Sequence, residues 1–414
     1  MTRITPTARP LAAAIVLALS TTNALAAGFS LPEVSIAGLA TSNALVANPE
    51  LLGAIPYNPS LAAFHPGTHV SGGLMVVAAN STVTTASPNA VASSDFQGKD
   101  FVPIPMLAAT HQVNDRWTLG LSTTAPFGLS TNHFESSYTF MEALSPGSSP
   151  TKSAVEVVDI APTATYKLND STAVAFGADV YWVKTVNFHT TGLENEGDGL
   201  DWGWNVSASH KSGPLTIGAS YHSKSDVEIK GTTTVVAAGL TFPGTTAELT
   251  IPWRAQIGAR YEFNDQLALE FDVSRTGWSS FDELAINTTP AGIVTSKNNW
   301  KNTNAYRLGG TYQIDDSLQL RFGYTYDKTG QPIEYFSART ADADRHLFSI
   351  GAEKKLSDGW AVEAGYMLVK FEDTTLSASG FTEAGEPNGS LFYNGKYETT
   401  VHLFGLGVSK SFDL

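Results

Sequence analysis

From residue 67 to the C-terminus the chain alternates apolar with small or polar residues. The alternating runs are joined in turn by tight polar corners and by longer polar connections. The corners are Asn114-Asp115, Asn169-Asp170, Ser212-Gly213, Asn264-Asp265, Asp315-Asp316 and Ser357-Asp358-Gly359. Six corners alternating with seven long connections predict fourteen antiparallel strands, an even number that closes into a barrel with both ends of the barrel domain at one rim. The parity is sharpest in the second half. Strand eight sets Ile251, Trp253, Ala255, Ile257, Ala259 and Tyr261 against Arg254, Gln256, Gly258 and Arg260, and strand nine sets Leu267, Leu269, Phe271 and Val273 against Glu270, Asp272 and Ser274.

Alternation alone fits two solutions. A soluble sandwich buries the apolar parity in a core, whereas a membrane barrel turns it to lipid and gathers the charges in its lumen. Strands of about ten residues or more, corners confined to one edge, and aromatics beside those corners (Trp117, Tyr261, Phe263, Trp360) select the membrane barrel. Closure follows, because an open edge would leave unpaired backbone groups in hydrocarbon.

The N-terminus agrees. Arg3 and Arg9 precede the apolar run Leu11 to Leu19, and Ala24-Leu25-Ala26 supplies a small-x-small cleavage site, so residues 1–26 read as a secretory signal. No later stretch is long and apolar enough for a membrane helix. The expected location is the outer membrane of a Gram-negative bacterium, spanned many times, with the corners in the periplasm and the long connections outside. The barrel-assembly machinery is then a required partner, outer-membrane lipid and lipopolysaccharide are the surroundings, and a monomer is expected. Without cysteine there is no disulfide framework or thiolate site, and a net charge of -14 leaves no basic stripe for nucleic acid. The nine histidines are scattered without a metal-spaced pair or a nucleophile elbow, so neither catalysis nor a cofactor is expected.

Two places break the rhythm. Residues 27–66 do not alternate; small and apolar residues recur at helical spacing in short pieces limited by Asn48-Pro49 and Asn58-Pro59. Two or three short helices folded into the lumen as a hatch, ahead of a barrel over 67–414, is the reading favoured over a periplasmic arm, because a fourteen-strand lumen is wide enough to need filling. The second break is Ala125-Pro126-Phe127-Gly128-Leu129 in strand three, where Pro126 cannot donate to a ladder and Gly128 permits a bend. It fits either the start of the connection over 129–154 or an inward kink that parts two strands, with the lost hydrogen bonds supplied by the hatch or by lumen side chains.

These pieces together resemble the long-chain fatty-acid and aromatic-hydrocarbon outer-membrane transport family of the FadL/TodX type. The resemblance is carried by Ala27-Gly28-Phe29-Ser30-Leu31 with Gly38-Leu39, by Asn58-Pro59-Ser60, by Ala125 to Leu129, by Trp278-Ser279-Ser280-Phe281, and by the runs Trp300 to Tyr312 and Leu320 to Asp327. The chain departs from the family's pattern at Ser60, where alanine is common, and at Ala40-Thr41-Ser42-Asn43. The resemblance implies passive transport of hydrophobic molecules through a hatch-occluded barrel, with a side passage at the strand-three kink. On that footing Pro126, Phe127 and Gly128 match the kink, while Gly28, Phe29, Gly38, Asn58 and Pro59 belong to the hatch. A fatty acid would favour a cation for its carboxylate, for which Arg254, Arg307 and Arg321 are candidates by lumen parity. Their alternative role is pairing with Glu270, Asp272, Glu353 or Glu363. Uncharged alkylbenzenes would need no cation, and Phe134, like Phe127, is a candidate to line an apolar route.

Overall fold

The computed structural model describes residues 28–85, 94–97, 101–133, 137–288, 292–376 and 392–412. The signal segment over 1–26 and Phe134 lie outside the described residues. Fourteen antiparallel strands follow one another around a closed barrel. They are β1 Thr68–Thr85, β2 Phe101–Gln112, β3 Trp117–Asn132, β4 Pro150–Asn169, β5 Thr172–Thr190 and β6 Leu193–Ser212. Next come β7 Leu215–His222 continuing as Ser225–Val235, β8 Leu240–Ile251 continuing as Arg254–Glu262, β9 Leu267–Thr276 continuing as Glu283–Thr288, and β10 Gly292–Lys297 continuing as Thr303–Gln313. The last are β11 Leu318–Asp327, β12 Arg345–Lys355, β13 Trp360–Phe371 and β14 Gly395–Phe412. The sheet closes where β14 returns to β1, with Thr68 opposite Phe412 and Thr85 opposite Gly395.

The corners are set by local chemistry. Asn114 Oδ1 accepts the amides of Arg116 (2.9 Å) and Trp117 (3.0 Å). Asn264 Oδ1 accepts those of Gln266 and Leu267 (both 2.9 Å), and Asp315 Oδ1 those of Ser317 (2.8 Å) and Leu318 (3.0 Å). Each side chain thus mimics the backbone acceptor of a turn, which is why Asn and Asp recur there. Outward from these corners the apolar parity is exposed to the surroundings, as at Trp204, Ile257, Phe271, Leu308 and Leu406, while Asn205, Arg260, Glu270, Asp272, Arg307 and Arg321 on the other parity are buried inside.

Three sequence expectations are corrected. The connections between β5 and β6, β7 and β8, and β9 and β10 are not long loops: β5 and β6 are joined by Thr191-Gly192 alone, and the polar stretches are outward continuations of the strands. On those outer portions the apolar residues face inward, with Val227, Ile229, Leu249 and Ile286 buried, while Glu228 and Lys230 face out, so the outward apolar parity that marks the lipid belt does not continue there. The parity of β8 also slips at Pro252-Trp253, where the strand is interrupted, and Ile251 faces inward and is buried rather than joining Ile257 and Tyr261 outside. The lumen, finally, is not polar throughout. Charges crowd the half near the corners, whereas Met75, Val77, Val102, Ile104, Met106, Met367, Val369 and Leu403 form one buried apolar cluster on the inward parity of the outer half.

The N-terminal segment fills the lumen. Helix α1, Ile36–Thr41, is capped by Ser35, whose Oγ accepts the amide of Gly38 at 2.9 Å, and it packs on the inner faces of β10 to β14. Two 3₁₀ turns follow, Leu52–Ala54 and Pro59–Phe64, the second against β3 to β6. The wall makes room with glycine: a Cβ on Gly351 would stand 2.4 Å from that of Ala40. Polar ties fix the seat. Asp272 Oδ2 accepts the amides of Leu45 (3.0 Å) and Val46 (3.1 Å), and Glu270 Oε1 that of Ala47 (2.6 Å).

Candidate functional site: a gap between β2 and β3 closed by the N-terminal segment

The wall parts where β3 loses its regularity. The ladder between β2 and β3 runs from Gln112 opposite Thr118 to Leu107 opposite Thr123, and beyond it Phe101 to Met106 of β2 pair with β1 alone. On the other side of β3 the register to β4 shifts between Thr124, opposite Asp159, and Phe127, opposite Val157, so Ala125 and Pro126 share one partner position. This is a β-bulge built around a residue that cannot donate. The N-terminal segment supplies the missing strand. Ser30 bridges Phe127 in antiparallel fashion, Leu31 N donates to Pro126 O, and Gly128 N donates to Phe29 O, both at 2.8 Å.

Side chains hold that segment in place. The Phe29 ring lies 4.8 Å from Trp278, 5.4 Å from Phe281 and 5.7 Å from Phe127, centroid to centroid, and Trp300 packs behind at 5.2 Å from Trp278. Gly28 adopts φ +62°, and a Cβ there would stand 2.4 Å from the Trp300 ring, so both conformation and space require glycine. Gly28 N donates to Asp342 Oδ2 at 3.0 Å, and Thr329 Oγ1 donates to the same oxygen at 2.5 Å. Asp342 Oδ1 is buried without a partner, and burial pushes this carboxyl up to about 7.

The remaining hatch residues form a second anchorage. Asn58 Nδ2 donates to Val46 O (2.6 Å) and Ala208 O (3.2 Å), while its Oδ1 accepts from Ser60 N and Ser60 Oγ. Pro59 starts the second 3₁₀ turn, and its carbonyl accepts from Thr165 Oγ1 at 2.8 Å. Ser60 adds a bond to Ser209 Oγ at 2.8 Å that an alanine would lack. Gly38 packs beneath Tyr57, whose hydroxyl oxygen stands 1.9 Å from where a Cβ would be. Tyr57 Oη in turn donates to Asn43 Oδ1 at 2.7 Å, and Asn43 Nδ2 to Glu33 Oε1 at 2.8 Å; burial raises the Glu33 carboxyl above its ordinary range.

The three strand arginines fall into different surroundings. Arg321 is paired with Glu353 and, at 2.6 Å, with Glu363. Arg307 bonds Ser274 and lies across the ladder from Asp272. Arg254 stacks 5.1 Å above the Phe127 ring and reaches Tyr181 Oη at 3.4 Å. Arg254 and Arg307 both line a polar cavity of about 950 Å³ beneath the gap, shared with Asp159 and Asp327. A second cavity, about 670 Å³, lies farther out and is walled by Phe29, Leu129, Val155, Phe188, Ile229 and Phe281, with Arg339 at its edge. Parity reasoning passes over Arg339 and Asp342, because both lie in the connection between β11 and β12 where no period-two pattern assigns a face. The one available signal is the apolar and aromatic run Ile333 to Ala338 that leads into them.

Among the described residues no group of His, Cys, Asp or Glu is placed to hold a metal ion. The arrangement is a wall gap, a plug seated in it and an apolar cavity. Residues 17–412 match the family described as "Outer membrane protein transport protein (OMPP1/FadL/TodX)". The chain is 25% identical to the 47 kDa outer membrane protein of Pasteurella multocida, covering 96% of each chain. It is 21% identical to the long-chain fatty acid transport protein of Salmonella typhi, covering 92% of this chain and 96% of that one. A crystal structure of a Pseudomonas aeruginosa FadL homologue superposes with a TM-score of 0.76 at 18% identity, over 93% of this chain and all of the other. The chain therefore belongs to the OMPP1/FadL/TodX family of outer-membrane transport proteins, non-catalytic barrels for the gated, passive passage of hydrophobic molecules.

Proposed function

We propose that this protein takes up long-chain fatty acids by gated diffusion, releasing them sideways into the outer membrane through the gap between β2 and β3. The observation that carries this reading is that the N-terminal segment, rather than β2, completes the ladder of β3 at Pro126 to Gly128. A plug held by two backbone bonds to β3, the Gly28–Asp342 bond and a ring cluster can leave without unzipping the barrel, and its departure opens the wall. The apolar inward cluster of the outer half supports the same reading, since it places apolar side chains rather than charges between the outside and the gap. Burial there is worth roughly 25 cal/mol per Å² of apolar surface, enough to capture a chain from dilute solution without an energy source. Lateral exit also spares the solute the rehydration that a water-filled pore would impose. The fatty-acid choice draws on the Salmonella typhi relative and on the presence of a cation beside the apolar cavity. Uptake of monoaromatic hydrocarbons is the second reading, favoured by the rings of Phe29, Phe188 and Phe281 in the cavity wall.

The test is to delete Pro126, removing the bulge so that Ala125 alone faces Val158 and β3 pairs evenly, and to measure uptake of labelled oleate and of toluene into outer-membrane vesicles. Loss of uptake with the heat-modifiable barrel retained supports lateral release; undiminished uptake contradicts it. Wild-type uptake of toluene but not of oleate would contradict the fatty-acid assignment.

A further inference from the structure

On three neighbouring strands the outward apolar run ends at one row of the ladder. β9 presents Leu269, Phe271 and Val273 outward and then Arg275. β10, read towards the same end, presents Leu308 and Tyr306 and then Asn304, and β11 presents Phe322, Tyr324 and Tyr326 and then Lys328. Arg275 lies directly opposite Asn304, and Lys328 N donates to Asn304 O at 3.3 Å, so the three stand side by side. From Leu267, beside the corner, β9 climbs roughly 20 Å to Arg275 at the usual rise and tilt, close to the full height of an apolar band of about 25 Å. Arg275 Nη1 donates to Asn304 Oδ1 at 2.9 Å, which sets the guanidinium over the row and leaves Asn304 Nδ2 as a further donor. Lys301, also exposed, is tied to the same place by its amide, which donates to Gly330 O at 2.8 Å. None of the ion pairs among the described residues involves Arg275, Lys301 or Lys328. On the far side of Lys328 the Asp344 carboxylate is taken by Tyr326 Oη at 2.5 Å and by the Thr329 amide at 2.8 Å.

Unpaired cations are out of keeping with a chain of 39 acidic and 25 basic residues. On β6 to β8 the outward faces above the belt are acidic: Glu196 and Asp198 are exposed, Glu228 stands directly opposite Glu248, and Lys230 is bound to Glu228 at 2.9 Å. Anionic lipid heads are repelled there and attracted at β9 to β11. We infer that Arg275, Lys301 and Lys328 form a docking site for an outer-leaflet glycolipid that carries two phosphates. Its acyl chains lie along the exposed side chains of Phe271, Tyr306, Leu308 and Tyr324, directly below the cations. Arg275 and Lys328 are two strand spacings apart, roughly 10 Å, so phosphates on separate sugars meet both, whereas the single phosphate of an ordinary phospholipid meets one. Asn304 Nδ2, between them, donates to the head. The site lies on strands other than those of the gap, so it stands apart from the choice of transported solute.

The test is native mass spectrometry of the full-length protein in mild detergent, titrated with diphosphoryl lipid A, with its dephosphorylated form and with phosphatidylglycerol. The wild-type protein is expected to bind the diphosphoryl form in preference to the other two. The double variant Arg275→Gln, Lys328→Gln is expected to bind it about 10- to 30-fold more weakly, as two basic contacts to an anionic head are lost, and to bind the dephosphorylated form as before. Exchanging the cations, Arg275→Lys with Lys328→Arg, should keep most of the affinity, and Lys230→Gln on the acidic side should not lower it. The heat-modifiable electrophoretic shift reports correct assembly of each variant. Equal affinity of the wild type and the assembled double glutamine variant would overturn the site, as would binding that ignores the phosphates. Phosphatidylglycerol bound as tightly as diphosphoryl lipid A would overturn it too, by showing a surface that attracts any anionic lipid.

Discussion

Gly28 and Asp342 show how few atoms hold the plug. At φ +62°, with the Trp300 and Trp278 rings where a side chain would begin, Gly28 tolerates no larger residue. Gly28→Ala should cost about 1–2 kcal/mol in backbone strain alone and displace Phe29 from its ring cluster. The expected result is faster uptake through a looser gate, read from initial rates in vesicles; unchanged rates would show that the cluster does not gate. Asp342 adds a pH dependence whose sign follows from its burial. In the closed state its carboxyl is pushed up to about 7 from the ordinary 3.8, so the closed plug favours the neutral acid. Its stabilising contribution is full at low pH and is lost as pH rises through about 7. Protection factors for the amides of residues 28–31, which remove the intrinsic pH dependence of exchange, should therefore fall between pH 5 and 8. Asp342→Asn should flatten that fall, and an equal slope in both proteins would count against the latch.

Among the elements, β3 and the trio of β11, β12 and β13 do different work. The bulge of β3 opens the wall, whereas Arg321 of β11 ties Glu353 of β12 to Glu363 of β13 near the corners. Arg321→Met would leave two largely buried glutamates without their cation, a loss of roughly 3–5 kcal/mol for a buried pair broken on one side. A lower temperature for the heat-modifiable gel shift is the expected outcome; an unaltered transition would show that the trio is not stabilising. The corners and outward faces were legible in sequence, because an Asx turn and a period-two parity are both local. The breaks at Ser223-Lys224 and Pro252-Trp253 were not, since a strand that resumes after two residues reads as a loop. Nor was Arg339, whose cavity is assembled from the hatch, several strands and a loop far apart in sequence. The kink could be suspected from Pro126 and Gly128, but which segment would repair its ladder depended on where the N-terminus folds.

For the whole molecule the decisive feature is a lumen in two zones. Near the corners, charges and hatch ties make a polar, closed floor; farther out, Met75, Val102, Met106, Met367 and Leu403 make an apolar lining. In the proposed route a hydrophobic solute entering from outside meets the floor and leaves through the side. Met367→Glu, placing a charge in that lining, should slow oleate uptake several-fold with assembly intact, and normal uptake would argue against the lining as the route. In the proposed mechanism residues 28–31 must leave β3 for transport to occur. Ser30 and Phe127 form a non-hydrogen-bonded antiparallel pair, flanked by the bonds of Leu31 and Gly128, so their Cβ atoms stand at a spacing a disulfide can bridge. The chain has no cysteine of its own. In the double variant Ser30→Cys, Phe127→Cys, oleate uptake should stop when the pair is oxidised and return on reduction; uptake that continues through a fully oxidised bridge would contradict the account.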